Sequence, residues 1–288
     1  MRQLLYLLRR ALFASFDDGL FTIAKGAAYS ALLSFFPILT TAATVLVQTR
    51  ADFVQRNVES FLSQVLPPGT EEVVMQQFHF RGQRPVALLV VAVVLSLWAA
   101  SSVIRSLIDG FNAAYRVPRN RSILAHSAVG MMLAILSLVP LLGATSLILF
   151  GGAVEGSVLK LIRVDPDLNP FAGGWELLWR LLRYLVAFAA TASVTAILYF
   201  YGPYRKQRWS RVWPGAILAT VLWLLATVGF GWYVRNITNY NVLYGSVGTS
   251  IALLIWMYLL AAIALFGCAF NAEYERLGVP SPARGISA

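Results

Sequence analysis

The stretch from Val247 to Phe270 reads VGTSIALLIWMYLLAAIALFGCAF and contains no charged residue. A helix of about 20 apolar residues crosses the roughly 30 Å hydrocarbon core of a bilayer. Backbone groups inside lipid must be hydrogen-bonded within the protein, and this continuous run lacks the alternation of a barrel strand. The stretch therefore predicts a transmembrane helix.

Other runs of the same kind occur earlier in the chain, at 27–49, 86–104, 127–152, 184–201 and 212–234. The composition agrees, because 58% of the residues are hydrophobic and only 12% are charged, which exceeds what a soluble core of this length could bury. The sequence predicts an all-α, polytopic membrane protein. We expect a six-helix transmembrane domain at 27–270, an amphipathic segment at 1–26 and a tail at 271–288.

Two short interfacial helices are also expected. Leu4, Leu5, Leu8 and Leu12 recur at helical spacing with arginines between them, which favours a helix lying on the membrane surface. A second apolar stripe runs from Val54 to Val65 and is followed by prolines.

The basic residues predict the orientation. If both termini lie on one side of the membrane, that side carries 14 of the 23 lysines and arginines, and the loop 202–211 alone has four basic residues and no acid. Cytoplasmic loops are enriched in such residues. We therefore expect cytoplasmic termini and contacts with anionic lipid headgroups, which also explain the net charge of +10 without nucleic acid. The sequence leaves both a monomer and a homo-oligomer open.

The chain lacks the residue patterns that are typical of enzymes. His79 and His126 fall on opposite sides of the predicted membrane, and Cys268 is the only cysteine, so neither a metal site nor a disulfide is expected. The chain has no nucleophile elbow and no phosphate-binding loop. We expect no catalytic residues, no metal and no cofactor, and the span centres carry no charge for a proton relay.

The most prominent polar group follows the second span, where Arg105, Asp109, Asn112 and Arg116 would share one face of a continuing helix. These residues could form a charged gate or an anionic-headgroup site. The alternative, which we favour, is an ion-paired stripe that docks the helix against neighbouring loops.

The first span adds further candidates for a polar or gating site, namely Tyr29, Ser34 and Pro37. Pro37, like Pro140 in the third span, removes a backbone hydrogen bond and predicts a kink. Gly26, Ser30 and Ser34 form a small-residue stripe, for which close helix packing is the favoured role.

A candidate outer-surface site precedes the sixth span and comprises Asn239, Tyr240, Asn241, Tyr244 and Gly245. This uncharged, aromatic segment could bind a headgroup or a sugar, although turn formation and interfacial anchoring also explain it. At the opposite end of that span, we expect ordinary solvation of Asn271 and Glu273.

Three stretches together resemble the YihY/BrkB family of bacterial inner-membrane proteins: Ala27 to Pro37, Arg105 to Pro118, and the C-terminal run that contains Trp213-Pro214-Gly215, Tyr244 to Gly248 and Asn271-Ala272-Glu273. The resemblance implies six helices, an inner-membrane location and cytoplasmic termini. It also brings a label of transfer-RNA-processing ribonuclease, which disagrees with a chain that lacks metal ligands and an RNA-binding module.

Suspected transport or lipid export in that family leads to the main functional hypothesis. We expect a transporter or flippase-like exporter of an amphipathic or anionic solute or lipid. The alternative is a non-transporting scaffold for envelope assembly. A cavity at membrane depth, lined by Tyr29, Ser34 and the second span, would favour transport.

Overall fold

The computed structural model describes residues 2–49, 86–118, 122–161, 172–236 and 246–278, which are helical apart from short turns. The helices are α1 (Arg2–Asp17), α2 (Leu20–Thr49), α3 (Val86–Ala114), α4 (Ile123–Leu161), α5 (Ala172–Tyr201), α6 (Trp209–Asn236) and α7 (Ser246–Gly278). No strand occurs among these residues, and the predicted all-α class is confirmed. The predicted interfacial helix at 54–65 lies outside the described residues.

Each helix from α2 to α7 is long and apolar enough to cross a membrane, which confirms the six predicted spans. The helices extend beyond the apolar runs at several ends. In particular, α7 continues to Gly278, so residues 271–278 belong to the bundle rather than to a separate tail.

The spanning helices form a ring in chain order. Each of them packs against the next, and α7 closes the ring by contacting α2. Helix α7 also contacts α3 and α1, and it is the most buried of the spans. Small residues along α7, such as Ala261, Ala262 and Ala269, permit these close contacts.

The helix ends divide into two groups. Helix α1, the starts of α2, α4 and α6, and the ends of α3, α5 and α7 lie together at one end of the bundle, which we call the near end. These ends are joined by contacts between Arg10 and Glu273, Asp109 and His126, Asn112 and Tyr204, and Gly215 and Asn271. We call the opposite end the far end.

Helix α1 is a separate element, because Asp18 and Gly19 form a turn before α2 and Gly19 has a positive φ of 67°. Its buried face consists of Ala11, Ala14 and Ser15. The predicted leucine stripe points elsewhere, since Leu4, Leu5 and Leu12 are exposed. That stripe remains available to a lipid surface.

The tightest helix contact joins α6 and α7 near the near end. A Cβ atom on Gly215 would collide with the Gly267 carbonyl oxygen, and one on Gly267 would lie 2.7 Å from the Gly215 carbonyl oxygen. The two backbones therefore touch directly. Only glycine allows this approach at the two positions.

The α2–α3 contact contains a row of hydroxyl groups. The Ser34 hydroxyl donates to the Ala99 carbonyl oxygen at 2.8 Å, and the Thr41 and Ser96 hydroxyl oxygens lie 2.7 Å apart. The predicted packing role therefore holds for Ser34. It is wrong for Gly26, which is exposed and has open space beside its Cα.

Packing in the far half differs between helices, since Phe230, Leu253 and Trp256 form a buried cluster between α6 and α7 whereas α5 is loosely packed. Among the described side chains of α5, none between Leu177 and Thr191 is buried, whereas Ala192, Val194, Ala196 and Tyr199 of the near half are. Helix α6 likewise buries no side chain from Val221 to Gly229. The bundle is thus densely packed at the near end and loosely packed in the far half of α5.

Candidate functional site

The near end contains two buried carboxylates on the last turns of α7. The side chain of Glu273 is 4% exposed; its Oε2 atom lies 2.9 Å from Arg10 Nη2, and its Oε1 atom accepts a hydrogen bond from Arg276. Glu275, whose side chain is 6% exposed, pairs with Arg205 Nη2 at 2.5 Å. We call these five residues the carboxylate network.

Buried carboxylates are stable only when charged or hydrogen-bonding partners compensate their lost hydration. The partners here come from different parts of the chain, because Arg10 belongs to α1 and Arg205 to the turn between α5 and α6. The network consequently connects the first helix, that turn and the last helix.

Tyr115, just after α3, packs against Arg205 of the carboxylate network. The Arg205 guanidinium lies over its ring at 4.5 Å from the centroid, a favourable cation–π distance. Burial raises the pKa of the Tyr115 hydroxyl far above its ordinary value, so the group stays protonated. As a donor it reaches Gln207 Oε1 at 3.3 Å.

Asn271 is a third buried polar residue near the end of α7, besides Glu273 and Glu275. Its side chain is fully buried; Oδ1 accepts from the Gly215 backbone N–H at 2.7 Å, and Nδ2 donates to the Val212 carbonyl at 2.8 Å. The adjacent Pro214 has no N–H to contribute to the helix. The carboxamide thus forms hydrogen bonds with backbone groups on both sides of the proline.

Replacing Asn271 with alanine is expected to lower the free energy of unfolding by about 1–2 kcal/mol, because a buried donor and a buried acceptor lose their partner. Tryptophan fluorescence during unfolding of the detergent-solubilised protein by SDS would measure the change. The control is Thr227→Ala, since the Thr227 hydroxyl bonds only to the Trp223 carbonyl of its own helix, at 2.9 Å. Equal stability of the two variants would contradict the bridging role of Asn271.

Comparison with known proteins gives the family. A family model described as virulence factor BrkB matches residues 14–284, nearly the whole chain. The chain belongs to the BrkB family. No solved structure matches it significantly.

Several BrkB-family relatives are similar over most of their length. Ribonuclease-like protein YfkH of Bacillus subtilis is 29% identical over 250 residues, which cover 85% of this chain and 86% of YfkH. A UPF0761 membrane protein of Tolumonas auensis is 28% identical and covers 93% of this chain and 87% of its own length. Its counterpart in Alteromonas mediterranea is 27% identical, with 88% of this chain and 83% of that protein covered. The chain is a multi-pass membrane protein of this family.

The structure brings together two motifs of the C-terminal run that carries part of the BrkB resemblance. Trp213-Pro214-Gly215 lies on α6 and Asn271-Ala272-Glu273 on α7, and the hydrogen bond from the Gly215 N–H to Asn271 joins them. The prediction that Asn271 and Glu273 are simply solvated is wrong. Both are buried, because α7 continues past the apolar run and partners from α1 and α6 cover its end.

The side chains of the polar face after the second span contact different partners. Arg105 Nη1 donates to Ser101 Oγ at 2.7 Å, and Asp109 lies 3.8 Å from His126 Nε2. Asn112 Oδ1 accepts from the Tyr204 backbone N–H at 2.8 Å. These contacts connect α3 to α4 and to the α5–α6 turn rather than converge on one site.

Arg116 leaves this face because α3 ends at Ala114. The backbone N–H of Arg116 bonds to Ala113 and that of Val117 to Asn112, which closes the helix with Arg116 at a φ of 55°. The Arg116 Nε atom instead lies 2.9 Å from Asp18 Oδ1 in the α1–α2 turn. The expectation of four residues on one continuing helix face is therefore wrong for Arg116.

The candidates on the first span are also separated. Tyr29 is 60% exposed, whereas Ser34 is buried and bonded to α3. Helix α2 runs without interruption through Pro37, and α4 does so through Pro140. The outer-surface candidates Asn239, Tyr240, Asn241, Tyr244 and Gly245 lie outside the described residues.

The sequence reasoning missed Glu275, Arg10, Arg205 and Arg276 as partners in one network. The available signal was the pair Glu273 and Arg276, three residues apart beyond an apolar helix. Among the residues that the structure describes, no three His, Cys, Asp or Glu side chains cluster in a way that could hold a metal ion.

Proposed function

We propose that this BrkB-family protein moves an amphipathic, anionic solute or lipid across the membrane, as a transporter or flippase-like exporter. The observation that supports this proposal is the contrast between the two halves of the bundle. The near end is closed by the carboxylate network and by the contact between Gly215 and Gly267. The far half of α5 buries none of its described side chains between Leu177 and Thr191.

A helix that packs in a bundle normally buries one face along its whole length. The far half of α5 has only a partly buried face, which includes Trp179, Arg183 and Ala187, so it packs against its neighbours more loosely than the near half. A bundle that is closed at the near end and packs the far half of α5 loosely can admit a substrate beside that helix. Access from one side at a time is the requirement for transport by alternating access.

The proposal includes an orientation and a location. The near end faces the cytoplasm, since Arg105, Arg205, Arg208 and Arg211 gather there and basic residues favour that side. The membrane is the bacterial inner membrane, and the near-end arginines meet anionic headgroups. The activity is translocation rather than catalysis, and it uses no cofactor and no nucleic acid.

The alternative is a non-transporting scaffold for envelope assembly. In that case the unburied faces of α5 would bind the helices of a partner membrane protein. The two functions differ in a direct measurement, because a scaffold produces no flux in a purified system.

Reconstitution into liposomes tests the proposal. Purified protein is expected to accelerate the transbilayer movement of fluorescent phosphatidylglycerol, or the efflux of a trapped anionic dye, above protein-free liposomes. The variant Arg10→Ala weakens one near-end ion pair and should raise the rate about two- to fivefold, because a half-exposed pair contributes on the order of 1 kcal/mol. Arg9→Ala is the matched control, as the exposed Arg9 contacts the Phe13 ring instead of Glu273.

One outcome would count against transport, and another would count against control of transport by the near-end network. If the native protein gives no flux of either probe, the scaffold becomes the better explanation. If Arg10→Ala and Arg9→Ala change the flux equally, the near-end network does not limit the cycle.

A further inference from the structure

A cleft of about 690 Å³ opens at the near end between α1, the first turn of α6 and the last turns of α7. Its lining includes Tyr6 and Leu7 from α1, Ser210 and Arg211 from α6, and Glu275 and Leu277 from α7. The volume lies within the range of typical small-molecule sites, about 300–1,000 Å³. The cleft is separate from the polar face of α3.

The charges of the cleft favour an anion. The Glu275 carboxylate is paired with Arg205 at 2.5 Å, so its charge is compensated. Arg211 is half-buried, and within the described part of the chain no carboxylate lies within ion-pair distance of it. The uncompensated charge that lines the cleft is therefore a guanidinium, which binds phosphate oxygens in a bidentate manner.

The amino end of α6 adds to this preference. Helix α6 begins at Trp209, so Ser210 lies in its first turn. The Arg211 backbone N–H already donates to the Arg208 carbonyl oxygen at 2.9 Å, so the helix contributes the partial positive charge of its first turn rather than a free Arg211 donor. Ser210 and Arg211 therefore present a hydroxyl, a guanidinium and the positive end of a helix to the same cleft.

Apart from the polar Gln3, the remaining lining is apolar or amphipathic. Leu7 and Leu277 are aliphatic, and Tyr6 and Tyr274 carry hydroxyl groups on rings that are 54% and 44% exposed. Tyrosine is typical of the headgroup layer of membranes. The neighbouring Leu4 and Leu5 are exposed on α1, so apolar surface continues from the cleft along that helix.

We propose that this cleft binds an anionic phospholipid, with its phosphate at Arg211 and Ser210 and its acyl chains along Leu7 and Leu277. A soluble phosphate compound would contact Arg211 and Ser210 but not the leucines. A zwitterionic lipid would use the leucines but would place a second positive charge near Arg211. Binding at this cleft requires no translocation, so the site exists whether or not the protein transports its ligand.

Native mass spectrometry of the detergent-solubilised protein tests the site. Titration with phosphatidylglycerol is expected to give tighter binding than titration with phosphatidylcholine of the same acyl chains, and inorganic phosphate should not compete at equal concentration. Arg211→Ala should weaken phosphatidylglycerol binding about tenfold, because charge-assisted hydrogen bonds to the phosphate are lost. Arg211→Lys should retain part of the affinity, since it keeps the charge but not the bidentate geometry.

The matched control is Arg208→Ala, which removes the same charge from the same segment outside the cleft lining. Equal effects of Arg208→Ala and Arg211→Ala would overturn the site in favour of a diffuse electrostatic attraction. Equal affinity for the two lipids would also overturn it. Competition by inorganic phosphate as strong as by phosphatidylglycerol would replace the lipid with a soluble anion.

Discussion

Replacing Glu273 with leucine is expected to destabilise the protein by about 3 kcal/mol. The Glu273 side chain is 4% exposed, and its two oxygens face Arg10 and Arg276. Leucine leaves both guanidinium groups without their carboxylate. The expected loss lies at the lower end for a broken buried ion pair, because the two arginine side chains are 40% and 31% exposed and regain some hydration.

SDS-induced unfolding in detergent, followed by tryptophan fluorescence, would measure this loss. Asp17→Leu is the control, because Asp17 is an exposed acid at the same end of the bundle and its replacement should change stability by less than about 0.5 kcal/mol. Glu273→Gln keeps the shape and one acceptor and should fall between the two. A stability loss for Glu273→Leu no larger than that for Asp17→Leu would mean that the network contributes nothing to folding.

Replacing Gly215 with alanine is expected to cost about 3 kcal/mol, because a single methyl group meets backbone rather than a flexible side chain. The new Cβ would collide with the Gly267 carbonyl oxygen and lie 2.6 Å from Asn271 Cγ. Helices α6 and α7 would have to separate. Their separation would also break the hydrogen bond between the Gly215 N–H and Asn271 Oδ1.

The matched control is Gly229→Ala on the same helix, where no atom lies within 4 Å of the added Cβ. That change should leave stability unchanged or raise it by up to about 0.5–1 kcal/mol, since alanine is the better helix former. The same unfolding titration measures both variants. If Gly215→Ala is as stable as Gly229→Ala, the two helices can separate at little cost, and the close contact is not essential.

The spanning helices could be predicted from sequence because the length and apolar composition of each run are sufficient to identify a membrane span, without knowledge of its partners. The small-residue stripe was harder to interpret. Ser34 contacts α3, whereas a Cβ atom on Gly26 would meet no described atom within 4 Å, although both residues have the same spacing pattern. Spacing identifies a helix face, but which partner covers that face depends on the packing of the whole bundle.

The ion pairs that Arg10 and Arg205 form at the near end could not be predicted from local sequence, because they join residues that are far apart in the chain. Arg10 and Glu273 are separated by almost the entire chain, and neither has a neighbour in sequence that indicates the other. Glu273 follows an apolar run, where solvation is the ordinary expectation. The sequence predicts Arg116 on a helical face, because nothing in its residue type indicates the left-handed conformation that ends α3.

The closure of the ring by α7 has a consequence for biogenesis. Helix α7 leaves the ribosome after the other described helices, and it supplies the contacts to α1, α2, α3 and α6. Until it is inserted, Arg10 and Arg205 lack their carboxylates and Gly215 lacks its opposing backbone. A nascent chain that stops before α7 therefore exposes both unpaired charge and uncovered helix surface.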